Sequence, residues 1–173
     1  MDYTTNTAIA AVKALTEVVT PVVDASGDAQ AIEQVRLVTD FVRFVEGRAH
    51  WIGDRQRGQL REQVALGNEI RTDIGSLPSW SSFERALGTA ARVSEDAGAT
   101  GEQQRRATEE LSSAISRALR ETDELDAATR RRIERAVVAA SLHRADVDRA
   151  WLLPLGFDPE PSSVRSLQAV FTP

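Results

Sequence analysis

Apolar residues in this chain recur at steps of three and four almost from end to end, and no useful stretch alternates with a period of two. That spacing lines one face of an α-helix, whereas a half-buried strand needs strict alternation. The expected fold is therefore all-α, a helical bundle of five or six helices with no sheet. Ile9, Val12, Leu15, Val19 and Val22 mark the first helix, which Pro21 is expected to kink or end. A second face runs through Ile32, Val35, Val38, Val42, Val45, Ala49 and Ile52, with Phe41, Phe44 and Trp51 widening it. A stripe that wide meets neighbours on more than one side, so this segment is read as the central helix.

The same spacing continues through Leu60, Val64, Gly67, Ile70 and Ile74. An unbroken helix of that length would exceed ~60 Å at ~1.5 Å per residue, about twice the ~30 Å width of a domain this size. A bend is therefore expected between Gly47 and Gly58, as a full turn or as a kink. Other breaks are expected at Ser26 to Asp28, Ser76 to Ser79, Gly98 to Gly101 and Glu124 to Asp126, where turn residues interrupt the stripe. Ser81 and Glu84 have the spacing of a capping box, and Asp126 that of an N-cap. The predicted core joins Val35, Val38, Val42 and Val45 to Leu111, Ile115, Ile133 and Val137, leaving Arg36, Arg43 and Arg131 outside. Residues 1–153 form the bundle. Residues 154–173 form a Pro-rich tail whose stretch from Ser163 to Phe171 is amphipathic, docked on the bundle or on a partner subunit.

At 173 residues the chain has the length of one domain, and its apolar fraction of 42% suffices for a core. It holds no cysteine, which removes disulfides, thiolate metal sites and a cysteine nucleophile. Lys13 is its only lysine, so Schiff-base chemistry would have to use that one residue. Met1-Asp2-Tyr3 carries no basic leader, and no apolar run approaches the ~18 residues of a membrane span. A cytoplasmic protein with no membrane association is expected.

Few residues offer chemistry. Neither histidine completes a Glu-x-x-His pair of the di-iron type, since three residues after Glu46 stands Ala49 and three before His143 stands Ala140. Glu46 with His50, and His143 with Asp146, are spaced to share a helical face, which makes these four the catalytic or polar-pocket candidates. No metal or cofactor is expected. Arg130, Arg131, Arg132 and Arg135 crowd a helix start, where the dipole disfavours cations. They suggest a polyanion site, but Glu121, Asp123 and Glu124 lie just upstream to neutralise them, and nucleic acid is disfavoured by the absence of an extended basic face. Arg48, Arg55, Arg57, Arg61 and Arg71 read as a solvated set laced with acidic residues. Trp51, Trp80 and Trp151 read first as core and second as interface anchors, and Trp51, Trp151, Phe157 and Phe171 are the interface candidates. Glycine-rich phosphate loops and a nucleophile elbow are absent.

Pro21 closing the first helix and the run Ala31-Ile32-Glu33-Gln34-Val35-Arg36-Leu37-Val38 opening the second resemble a family of small helical bacterial proteins of uncharacterised function. Its members are encoded beside acyl-CoA dehydrogenases and aminoglycoside-phosphotransferase-like kinases. The resemblance covers the first seventy residues, carries over no catalytic residue, and implies an accessory role in acyl or small-molecule metabolism. The expected function is a non-enzymatic, self-associating helical interaction protein that forms a homo-oligomer or binds a protein partner. The alternatives are a small-molecule-binding protein or enzyme with a pocket at His50 and His143, and polyanion binding by Arg130 to Arg135.

Overall fold

A computed structural model describes residues 3–171, and every regular element among them is helical. The chain divides into two compact units, Met1–Ile52 with Trp151–Pro159, and Gly53–Ala150 with Glu160–Pro173. No helix among the described residues is long and apolar enough to cross a membrane.

The N-terminal unit is a helical hairpin. Helix α1 (Tyr3–Ala14) runs through a π-helical segment, Leu15–Val19, directly into α2 (Thr20–Ser26). Pro21 therefore does not end the helix, one of the two outcomes expected of it. Proline lacks an N–H and crowds the carbonyl four residues back, and a wider π turn relieves both problems. In that turn the Thr20 amide bonds back to the carbonyl of Leu15, and its hydroxyl donates to the same oxygen at 2.8 Å. Gly27, at φ 68°, closes α2 in a conformation that a side chain would strain. Asp28 then caps α3 (Ala29–Glu46), accepting the Gln30 and Ala31 amides at 2.9 and 3.1 Å. From this turn α3 runs back along α2 and α1.

Helix α3 is not the central helix. Its one fully buried residue is Thr39; Val35, Val42 and Val45 are half-buried, and Val38 is 48% exposed. Within the hairpin, α1 and α2 cover only one side of α3, and that side is centred on Thr39 rather than on the valine stripe. Arg36 and Arg43 point outward as expected. The helix ends at Glu46, and a 3₁₀ turn at Ala49–Trp51 leads into α4 (Ile52–Ile70). The expected bend is thus a turn beginning at Gly47, while Gly53 and Gly58 lie inside α4.

The second unit holds the sealed core. Helices α4, α5 (Trp80–Glu95), α6 (Gly101–Arg120) and α7 (Ala127–Leu152) enclose Leu60, Ile70, Ile74, Phe83, Leu87, Leu111, Ile115 and Ile133. Each such side chain stabilises the fold by roughly 1.5–3 kcal/mol. Leu111, Ile115 and Ile133 are buried as predicted, Val137 packs partly against them, and Arg131 is exposed. The breaks near Gly98 and Asp126 hold too. Thr100 caps α6 in a reciprocal pair with Gln103, and Asp126 accepts the Ala128 and Thr129 amides at 2.9 and 3.0 Å.

Ser81 and Glu84 do not form the expected capping box. Helix α5 already starts at Trp80, so Ser81 lies within it, and Glu84 instead takes Arg71 in a two-point pair. The free Ser79 amide at that helix start is satisfied by Glu121, which reaches it at 2.9 Å from the end of α6. Past α7 the chain makes 3₁₀ turns at Leu153–Leu155 and Pro161–Ser163 and ends in α8 (Leu167–Phe171). Within the second unit, Arg149 donates to the Ser163 hydroxyl at 2.9 Å, and Arg165 lies 3.9 Å from Asp146.

Candidate functional site: an arginine-floored groove

The side chains of Leu37, Phe41 and Phe44 share one stripe of α3, and Arg48 follows them in the turn that begins at Gly47. Residues 151–159, part of the same unit, bring Trp151, Pro154, Leu155 and Phe157 alongside. The two walls bound a groove of about 720 Å³, lined by Leu37, Phe41 and Phe44 on one side and Pro154, Leu155 and Phe157 on the other, with Arg36, Asp40, Arg43 and Arg48. That volume lies in the range of small-molecule sites, ~300–1,000 Å³.

Arg48 is the unusual member. The sequence reading placed it in a solvated set, yet only 7% of its surface is accessible. Its Nε donates to the carbonyl oxygen of Trp151, and its guanidinium carbon sits 4.6 Å from the Phe44 ring centroid and 5.9 Å from that of Trp151. The Phe44 and Trp151 rings meet edge to face at 6.5 Å. These contacts place the cation against aromatic π-clouds. No carboxylate among the described residues lies within ion-pair distance of it. Burial pushes its pKa below the ordinary arginine value. The other two cations of the groove are already compensated, Arg36 by Glu33 at 2.8 Å and Arg43 by Asp40 at 3.6 Å.

The rest of the arginine set pairs less locally than the spacing suggested, since Arg57 has a partner within one turn but Arg55 and Arg71 reach partners on other helices. Arg57 pairs with Asp54 at 2.7 Å, Arg71 with Glu84, and Arg55 with Asp148 at 2.6 Å. A signal for half of the Arg48 environment was present in the sequence, since it stands four residues after Phe44. Helical spacing alone did not reveal it, because the neighbouring wall comes from residues more than a hundred positions away.

The remaining candidates are dispersed. Glu46 ends α3 and His50 lies in the following 3₁₀ turn, so the two no longer share a helical face. His50 is exposed and lies against the Trp51 ring at 4.8 Å. His143 belongs to the other unit, where its Nε2 meets Glu62 at 3.1 Å; Asp146 faces Arg165 instead. No cluster of three metal-ligating side chains occurs among the described residues. Compared with known proteins, this chain matches no family model, no curated protein and no solved structure.

The arginines at the start of α7 are largely engaged at home. Arg130 meets Asp123 at 3.3 Å, and Arg132 grips Asp73 through two nitrogens at 2.6 and 3.3 Å while donating to Thr129 at 3.0 Å. Arg135 donates to the carbonyl of Arg131. The expected neutralisation across the turn thus comes from Asp123 on Arg130 and from Asp126 near Arg132, with Asp73 added from the turn after α4 and with Glu121 committed to Ser79. Of the interface candidates, Trp151 is buried, Trp51 and Phe171 are half-buried, and Phe157 is 85% exposed. Trp80 stacks on Phe83 at 6.0 Å as part of the core.

Proposed function

We propose that this chain is a non-enzymatic helical interaction protein that self-associates through its N-terminal hairpin. The observation that carries the reading is how apolar exposure is divided. Of fourteen large apolar side chains left exposed among the described residues, twelve belong to the N-terminal unit; Val138 and Leu142 are the exceptions. The second unit, by contrast, contains the whole buried cluster.

A two-helix hairpin with apolar residues on its open sides is half of a four-helix bundle, and a second copy supplies the other half. Val18 and Val22 on one arm and Val38 on the other are exposed and do not line the groove. Outside the groove, the exposed large apolar side chains from α1 to α3 are Tyr3, Ile9, Val18, Val19, Val22 and Val38, the kind of surface that an interface between copies covers. An accessory role in acyl or small-molecule metabolism, implied by the resemblance of the first seventy residues, belongs to the same proposal.

Light scattering on the full chain tests it. The intact protein is expected to be a dimer, and Val22→Asp together with Val38→Asp is expected to yield a monomer of unchanged helicity. A strict monomer at concentrations near ~100 μM, where an interface of standard size is populated, would overturn the reading. A second reading, as a small-molecule-binding protein, is favoured by the groove at Arg48 rather than by His50 and His143.

A further inference from the structure

We infer that the Arg48 groove binds a small amphipathic monoanion, a carboxylate head held by the Arg48 guanidinium with an apolar body lying between Phe41 and Phe157. Three features converge on this ligand class. The groove walls are apolar and aromatic over most of their length, which suits a hydrocarbon or aryl body. A guanidinium is buried against them with no counter-charge among the described residues, and burying a cation that way is costly until an anion joins it. Finally, the charges of the rim already balance: Arg36 is compensated by Glu33 and Arg43 by Asp40, leaving a single positive charge to satisfy.

That count selects the head group. One uncompensated charge matches a carboxylate better than a dianionic phosphate. The guanidinium retains donors beyond the Nε–H given to Trp151, in the planar fork that matches two carboxylate oxygens. Phe44 and Trp151, stacked around the cation, fix its position before the ligand arrives. Phe157, almost wholly exposed at the opposite wall, gains cover when the apolar body is in place. Val22 and Val38, the positions whose substitution tests self-association, do not line the groove, so the two tests are separable.

Calorimetric titration of the full chain with octanoate, octanol and octyl phosphate tests it. Octanoate is expected to bind saturably, and octanol at least about tenfold more weakly, since tenfold corresponds to the ~1.4 kcal/mol of one charge-assisted bond. Arg48→Gln should lose binding by a similar factor, and Phe157→Ala should weaken it severalfold while folding normally. Failure of octanoate to bind, equal binding of octanol, or tighter binding of octyl phosphate would each overturn the assignment. So would unchanged affinity in a folded Arg48→Gln protein. If circular dichroism shows that variant unfolded, the octanol comparison and Phe157→Ala decide alone, and undiminished binding in Phe157→Ala then counts against the groove.

Discussion

Gly67 of α4 lies so close to α5 that a Cβ placed on it would come within 2.8 Å of the Leu87 Cδ1. Leu87 is itself buried in the core and cannot swing into solvent. The contact explains why a residue that weakens helices stands in the middle of one. Gly67→Ala should gain ~1 kcal/mol of helix propensity and lose about 1–3 kcal/mol to overpacking, for a net destabilisation on the order of 1 kcal/mol. Urea unfolding measures it. A second substitution, Leu87→Val, should make Gly67→Ala less costly, and strictly additive effects would refute the contact.

The placement of the core predicts a contrast between two phenylalanines. Phe83 is fully buried, whereas Phe41 in α3 is 65% exposed. Phe83→Ala should cost about 3–5 kcal/mol, and Phe41→Ala no more than roughly 0.5 kcal/mol in the monomer. Comparable losses at both positions would mean that α3 is packed after all.

Acid should weaken the helix starts. Hydrogen bonding from Thr129 holds the Asp126 carboxyl below the usual range, and hydrogen bonding from Ser79 does the same for Glu121. A depressed carboxyl stabilises the folded state above its unfolded pKa of about 4 and loses that contribution as pH falls through its lower folded value. Melting temperature should therefore be flat above about pH 5 and decline below about pH 4. Asp126→Asn and Glu121→Gln keep an acceptor but do not titrate, so both should show a shallower decline. An identical acid profile in the double variant would show that neither cap contributes.

Arg132 and Asp73 join the start of α7 to the turn after α4, with Asp73 the more buried of the two. A double-mutant cycle of Arg132→Ala and Asp73→Ala should return a coupling of up to about 1 kcal/mol, falling with added salt. Absence of coupling would return Arg132 to the pool of free cations. The polyanion reading of Arg130 to Arg135 would then have to be tested again with a labelled duplex at low salt.

Much of the fold was legible in the residues themselves because the signals involved are local. Gly27 and Asp28, Thr100 and Gln103, and Asp126 with Thr129 act over at most four residues, so turns and caps can be read one segment at a time. The spacing of Leu111, Ile115 and Ile133 likewise placed them on buried faces. The start of α5 is not legible in this way, because a distant segment intervenes there. Its Ser79 amide is satisfied by Glu121 from the end of another helix.

The sequence by itself therefore determined that the chain is helical, where most helices begin and end, and which residues share a face. Only the tertiary structure decided which of those faces are covered. The valine stripe of α3 and the core stripe of α6 obey the same period, yet Val38 is exposed and Leu111 is sealed. Arg48 is a further example, a charged residue among charged neighbours that is buried because residues 151–159 fold against it. Periodicity fixes the direction of a side chain relative to its own backbone, but burial is set by whatever packs opposite, and that partner comes from elsewhere in the chain.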